Sequence, residues 1–161
     1  MPKHVDKPIR LYVITIFVVL AYGLLPLCSY FPAGHWVVLV GPRFLPFNAS
    51  VLALYGPDGE VSIILLIVTL ALSFFSVGSS LVTFLGVAEG RIATLIFVTL
   101  DVAWWFFLVI IAIMDNASEL ADRVELVSQM ILPPFWLAAV WWNYMRPDIS
   151  AWLKYMSEVN P

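Results

Sequence analysis

Asp101 is the only charged residue between Ile92 and Met114, and it lies close to the midpoint of the apolar run TLIFVTLDVAWWFFLVIIAIM. An acid at that depth in a membrane-length helix is protonated, paired or turned toward a polar cavity, because a lone charge at the bilayer centre costs roughly 3 kcal/mol or more. Three kinds of chemistry are open to it: polar packing inside a bundle, contact with a polar or basic group of another subunit, and binding of a proton or cation in transport.

A second set of polar residues precedes it. Thr69, Ser73, Ser76, Ser80 and Thr83 follow one another at alternating four- and three-residue steps, which puts them on one face of a helix. Small hydroxylated faces allow close helix packing and supply hydrogen bonds in an apolar medium. Thr94 and Asp101, seven residues apart, share a face of the next apolar block, with Trp104, Trp105 and Leu108 continuing nearby. Counted inward from the short connection holding Gly86, Glu89 and Gly90, Asp101 reaches the depth of Ser73 and Ser76. The sequence therefore predicts contact between the two stripes, with serine hydroxyls satisfying the carboxyl group. No basic residue lies at a comparable depth in another apolar block. Ser128 and Gln129, ahead of Pro133-Pro134, form a weaker polar candidate, since a proline break in a span leaves backbone groups to be satisfied. Pro26 creates the same ambiguity in the first block.

The elements that must position these residues follow from composition. Of 161 residues, 62% are hydrophobic and 12% charged, and an ordinary soluble domain carries about twice that charged share. The apolar residues gather in four blocks, each able to supply the roughly 17–25 residues of a membrane span. The expected fold class is an all-α integral membrane protein: a four-transmembrane-helix bundle with a short interfacial C-terminal helix. The expected spans are 11–29, 62–85, 92–114 and 126–145, in a single membrane domain over 1–161. The first block also resembles the basic and apolar parts of a signal peptide, but its length favours an uncleaved span.

Lys3, Lys7, Arg10, Arg91, Arg146 and Lys154 fall on one side of such a topology and only Arg43 and Arg123 on the other. That asymmetry places both termini in the cytoplasm, in a plasma or bacterial inner membrane. Trp141, Trp142 and Tyr144, just before Arg146, read as membrane anchors. Trp152 joins them on an amphipathic segment, 148–159, whose apolar positions Ile149, Trp152, Leu153, Met156 and Val159 suit a membrane surface.

The outer connection at 30–60 is rich in glycine, proline and aromatic residues and reads as an ordered cap over the bundle. Asn48 and Asn116 open glycosylation acceptor patterns on the predicted outer side.

Several chemistries lack their residues. Cys28 is the only cysteine, and His4 and His35 lie outside the apolar blocks, so paired-cysteine redox, bis-histidine haem and metal sites are unsupported. No cofactor class is indicated, no catalytic constellation is recognisable, and a net charge of -3 gives no reason to expect nucleic acid. The paired extracellular cysteines of claudins and tetraspanins are missing. The expected role is an accessory, scaffold or interaction subunit of a membrane complex, in contact with lipid and with another membrane subunit or copies of itself. The alternative is a small proton- or cation-coupled transporter or channel using Asp101. A lipid-modifying enzyme using His35 with Asp58 or Glu60 is a remote third reading.

Overall fold

The computed structural model describes residues 5–24, 63–115 and 131–159. Among them all regular structure is helical: α1 (Ile9–Val19), continued by a π-helical turn (Leu20–Leu24), then α2 (Ile63–Phe84), α3 (Ala88–Asp115), α4 (Leu132–Tyr144) and α5 (Pro147–Val159). The expected outer cap, both glycosylation acceptor patterns, Cys28, both histidines, Ser128 and Gln129 lie outside the described residues. By length and composition one described segment, Ala88–Phe107, is long and apolar enough to cross a membrane, while Ile9–Gly23 and Leu70–Phe84 are apolar but shorter. The four-span expectation is thus met only in this coarser form.

α2 and α3 make the principal contact of the bundle. On α2 the buried positions are Ser73, Ser76, Ser79, Ser80 and Thr83, whereas Leu70, Phe74, Phe75, Leu81 and Val82 point outward. α3 answers with Thr94, Val98, Asp101 and Trp105 on its buried face and Ile92, Ile96 and Leu100 on its exposed one. Small residues on one side let the helix backbones approach. Gly90 makes the approach possible at the end next to the α2–α3 connection, since a Cβ placed there would meet Thr83 N at 2.7 Å and Thr83 Oγ1 at 2.9 Å.

The turn between them is a Schellman cap. Gly86 N–H donates to Thr83 O at 3.0 Å and Val87 N–H to Val82 O at 3.2 Å, with Gly86 at φ 103°, a conformation that glycine adopts without a Cβ penalty.

α1 packs on α2 and α4, and α3 packs on α4 and α5. Pro133 and Pro134 occupy the first turn of α4, where a backbone N–H has no intrahelical acceptor to lose. The described helix starts beside them, and the part of the expected span that precedes them, 126–130, lies outside the described residues. The C-terminal helix departs from expectation. Ile149, Trp152 and Leu153 are buried against the bundle while Val159 stays exposed, so part of the apolar face predicted for a membrane surface is covered by the chain itself.

Lys7 fastens this end. Its Nζ donates to Phe84 O at 2.8 Å, at the C-terminus of α2 where a positive charge meets the helix dipole. The ammonium lies 3.7 Å from the Phe84 ring centre and 5.0 Å from that of Trp152. Desolvation lowers its pKa from the ordinary 10.5, while the ring faces and the carbonyl favour the charged form. Arg91 Nη1 adds a 2.7 Å bond to Ser150 Oγ on α5.

Two outcomes follow. Gly90→Ala should destabilise the protein by about 1–3 kcal/mol through overpacking at the α2–α3 crossing, read as a lowered unfolding midpoint in mild detergent. Lys7→Gln should lose about 1 kcal/mol and Lys7→Arg less, in the same assay; equal loss in both would remove the charge from the account.

Candidate functional site

The interior of the bundle carries two polar layers. The one nearer the α2–α3 turn is assembled by four helices around Tyr144, which is fully buried. Ser80 Oγ and Tyr144 Oη are 2.7 Å apart, and the hydroxyls of Thr15 on α1 and Thr94 on α3 also face Tyr144. Thr83 donates to Ser79 O at 2.9 Å and Thr94 to Gly90 O at 2.8 Å. Each threonine spends its one proton on its own helix, so the 3.4 Å approach of Thr83 to Thr94 is chiefly a packing contact.

The second layer contains Asp101, the fourteenth of the 28 residues of α3. At a rise of about 1.5 Å per residue it lies near the middle of a helix longer than the roughly 30 Å hydrocarbon core. It is 1% exposed and therefore faces the bundle interior. Neither carboxyl oxygen has a hydrogen-bond partner among the described residues, and Ser76 Oγ, also fully buried, lacks one too. The expected hydrogen bonds from the serine stripe to Asp101 are thus not formed, although both groups turn inward.

The neighbour that sequence reasoning missed is Tyr22. It sits in the π-helical turn, is almost fully buried, and lies close enough to Asp101 for a direct Coulombic interaction. Trp136 Nε1–H on α4 donates to Tyr22 Oη at 2.9 Å, and the two rings are 6.4 Å apart. A signal was present: Leu11, Thr15, Val18 and Tyr22 step by four, three and four residues, which matches the α2 stripe.

The predicted residues are therefore divided. Ser73, Ser76, Ser80 and Asp101 all face inward. The Thr69 and Leu108 side chains, like Ser128 and Gln129, fall outside the described set. Trp141 and Trp142 are exposed on the outer surface, Trp142 beside Arg146 with 5.3 Å between its ring centre and the guanidinium carbon. Trp141 is tied to α3 through a 3.1 Å bond to Thr99 Oγ1. Tyr144 and Trp152, expected as anchors, are interior instead. Tyr144 is drawn in by its hydroxyl partners, and Trp152 by the α5 contact and Lys7.

Among the described residues no three His, Cys, Asp or Glu side chains converge as metal ligands. An open groove of about 430 Å³ on the outer α2–α3 face is lined by Leu72, Leu100, Ala103, Trp104 and Phe107; its lining offers no acid or base. Comparison with known proteins gave no matching family model, no matching curated protein and no matching solved structure.

The Tyr144 layer makes a direct prediction. A double-mutant cycle of Tyr144→Phe with Ser80→Ala should give a coupling of about 0.5–1.5 kcal/mol in detergent unfolding; additivity would show that the 2.7 Å contact carries no stability.

Proposed function

We propose that this chain is a four-span integral membrane protein with both termini in the cytoplasm, working as a small proton- or cation-coupled transporter or channel centred on Asp101. The observation that carries the reading is the buried, unpartnered carboxyl group in a column of hydroxyls. An ionised carboxylate left unpaired in a protein interior costs several kcal/mol, and such a group in a membrane helix is by default a functional one.

The distribution of side chains supports the membrane setting. Ile9, Phe74, Phe135 and Trp142 are each about two-thirds exposed or more (79%, 73%, 69% and 66%), while the buried face of α2 is made of serines and a threonine. A soluble monomer rarely exposes this many large apolar side chains. An apolar surround reverses the penalty and leaves the hydroxyls as the interior packing material.

The accessory-subunit reading becomes the second one. Asp101 faces inward, so it is not the group that would meet a foreign subunit directly. The outer α2–α3 groove, with Trp104 and Phe107 at its wall, is the feature that favours a membrane partner or a second copy.

The purified protein in vesicles carrying a pH gradient tests the first reading. Asp101→Asn should reduce proton or cation flux at least tenfold, with the protein still folded and incorporated. Equal flux in both would remove Asp101 from the pathway. A stoichiometric foreign subunit retained on gentle extraction, together with no flux, would instead select the accessory role.

A further inference from the structure

We infer that one bound water molecule joins the Asp101 carboxyl group on α3 to the Ser76 hydroxyl on α2, and that this bridge keeps the acid hydrogen-bonded with or without its proton. The inference deepens the reading of Asp101 as an internal proton or cation site and rests on it for its functional meaning.

The register of the two helices brings the groups to one level. Thr83 Oγ1 and Thr94 Oγ1 are 3.4 Å apart across the α2–α3 seam. Ser76 lies seven residues before Thr83, and Asp101 lies seven after Thr94. Seven residues make two turns, which advance about 10.5 Å and return to within about 20° of the same face. Because α2 and α3 run antiparallel, both steps leave the connection in the same direction, so Ser76 is set against Asp101 as Thr83 is against Thr94. Other contacts hold this register on either side of the level. Phe75 stacks on Phe97 with ring centres 5.0 Å apart, and Leu72 shares a groove with Leu100 and Trp104.

The two groups face each other without a direct bond. Both side chains are buried, and Ser76 Oγ and the two Asp101 carboxyl oxygens have no hydrogen-bond partner among the described residues. Other hydroxyls of the seam are satisfied. Ser79, Thr83 and Thr94 donate to carbonyls of their own helices, and Ser80 pairs with Tyr144. Ser76 has the same fallback and does not use it. Polar groups opposed beyond direct bonding distance are the setting of a bridging water, and a buried water makes about three hydrogen bonds to groups that lack other partners. Three such atoms belong to this level.

The chemistry of the donor set favours water over a metal ion. Calcium takes six or more oxygen ligands, and among the described residues no group of three metal-ligating side chains forms. Residues 11–24, 63–84 and 132–144 contain no Asp, Glu, Lys, Arg or His, and their titratable side chains are Tyr12, Tyr22 and Tyr144. One carboxyl group therefore supplies all the charge. Water is neutral and both donates and accepts. While Asp101 is protonated, its O–H donates to the water and the water donates to Ser76 Oγ. Once the proton has left, the order reverses: Ser76 O–H donates to the water and the water to the carboxylate. A hydroxyl permits both orders, and the bond to the ionised group is about twice as strong as a neutral one. An N–H group in place of Ser76 would serve only the second.

Infrared difference spectra between high and low pH, on the full chain in vesicles, test the assignment. A carboxyl C=O band, absent in Asp101→Asn, should lie at the frequency of a hydrogen-bonded acid. An O–H stretching band should accompany it, move on exchange into heavy-oxygen water and disappear in Asp101→Asn. Ser76→Ala should shift both bands to higher frequency, and Ser76→Thr, which keeps the hydroxyl, should restore them. A C=O band at the frequency of an unbonded acid would overturn the inference. So would an O–H band that ignores heavy-oxygen water, the mark of a direct Ser76–Asp101 bond. Bands unchanged in Ser76→Ala would remove Ser76 from the site, and a carboxyl band removed by sodium or magnesium at constant low pH would put a metal ion in place of the water. Should Ser76→Ala fail to fold, the isotope shift in the wild-type protein decides alone. These bands do not depend on flux: an intact water band without transport refutes the transporter reading alone, and Asp101-dependent flux without a heavy-oxygen shift refutes the present inference alone.

Discussion

The bundle depends on the α2–α3 crossing, where two helices approach closely through hydroxyls, a glycine and one acid, flanked by the stacked Phe75 and Phe97 rings at 5.0 Å. Gly90 removes the Cβ that would collide with the Thr83 backbone, and the Schellman turn at Gly86 sets the reversal that brings the faces together. With that approach set, Asp101 is enclosed; α2 turns Leu70, Phe74 and Leu81 outward, while α3 keeps Leu95, Val98, Val102 and Trp105 buried beside the acid. The remaining helices complete the enclosure, α1 and its π-turn from one side and α4 from the other. An arrangement of this polarity is stable where the surroundings are themselves apolar, because outward phenylalanine and isoleucine then lose nothing by exposure.

Much of this was legible in the sequence, for a physical reason. Hydroxyls at alternating four- and three-residue steps can share only one face of a helix, so the buried side of α2 is readable without knowing its neighbours. The limits of α2 and α3 follow from the charge-free blocks and the glycine-containing turn. The depth match of Asp101 with Ser73 and Ser76 follows from counting out of that turn. What counting does not supply is rotation, and the Asp101 carboxyl and the Ser76 hydroxyl face inward without a bond between them.

The misplaced residues share one property. Tyr144 and Trp152 have an apolar body and a polar tip, which suits both a membrane boundary and an interior polar partner. Ser80 and Lys7 decide the matter, and both are remote in sequence from the residues they hold. Tyr22 was hidden for another reason. Its step from Leu11, Thr15 and Val18 was readable, but periodicity alone does not say which neighbouring helix a stripe meets. Pro133-Pro134 were ambiguous because the same residues kink a helix or start one, and only the position of the helix start distinguishes the two.

The hydroxyls of the α2–α3 seam have a mechanical consequence. Ser79, Thr83 and Thr94 all donate to carbonyls of their own helices, so little directional bonding ties the two helices to each other along this face. Sliding one past the other disturbs van der Waals contacts between small groups and leaves those hydrogen bonds intact. Cohesion along this seam thus comes from close fit, Gly90 against Thr83 and Phe75 stacked on Phe97, and is tuned by side-chain volume more than by hydrogen-bonding chemistry.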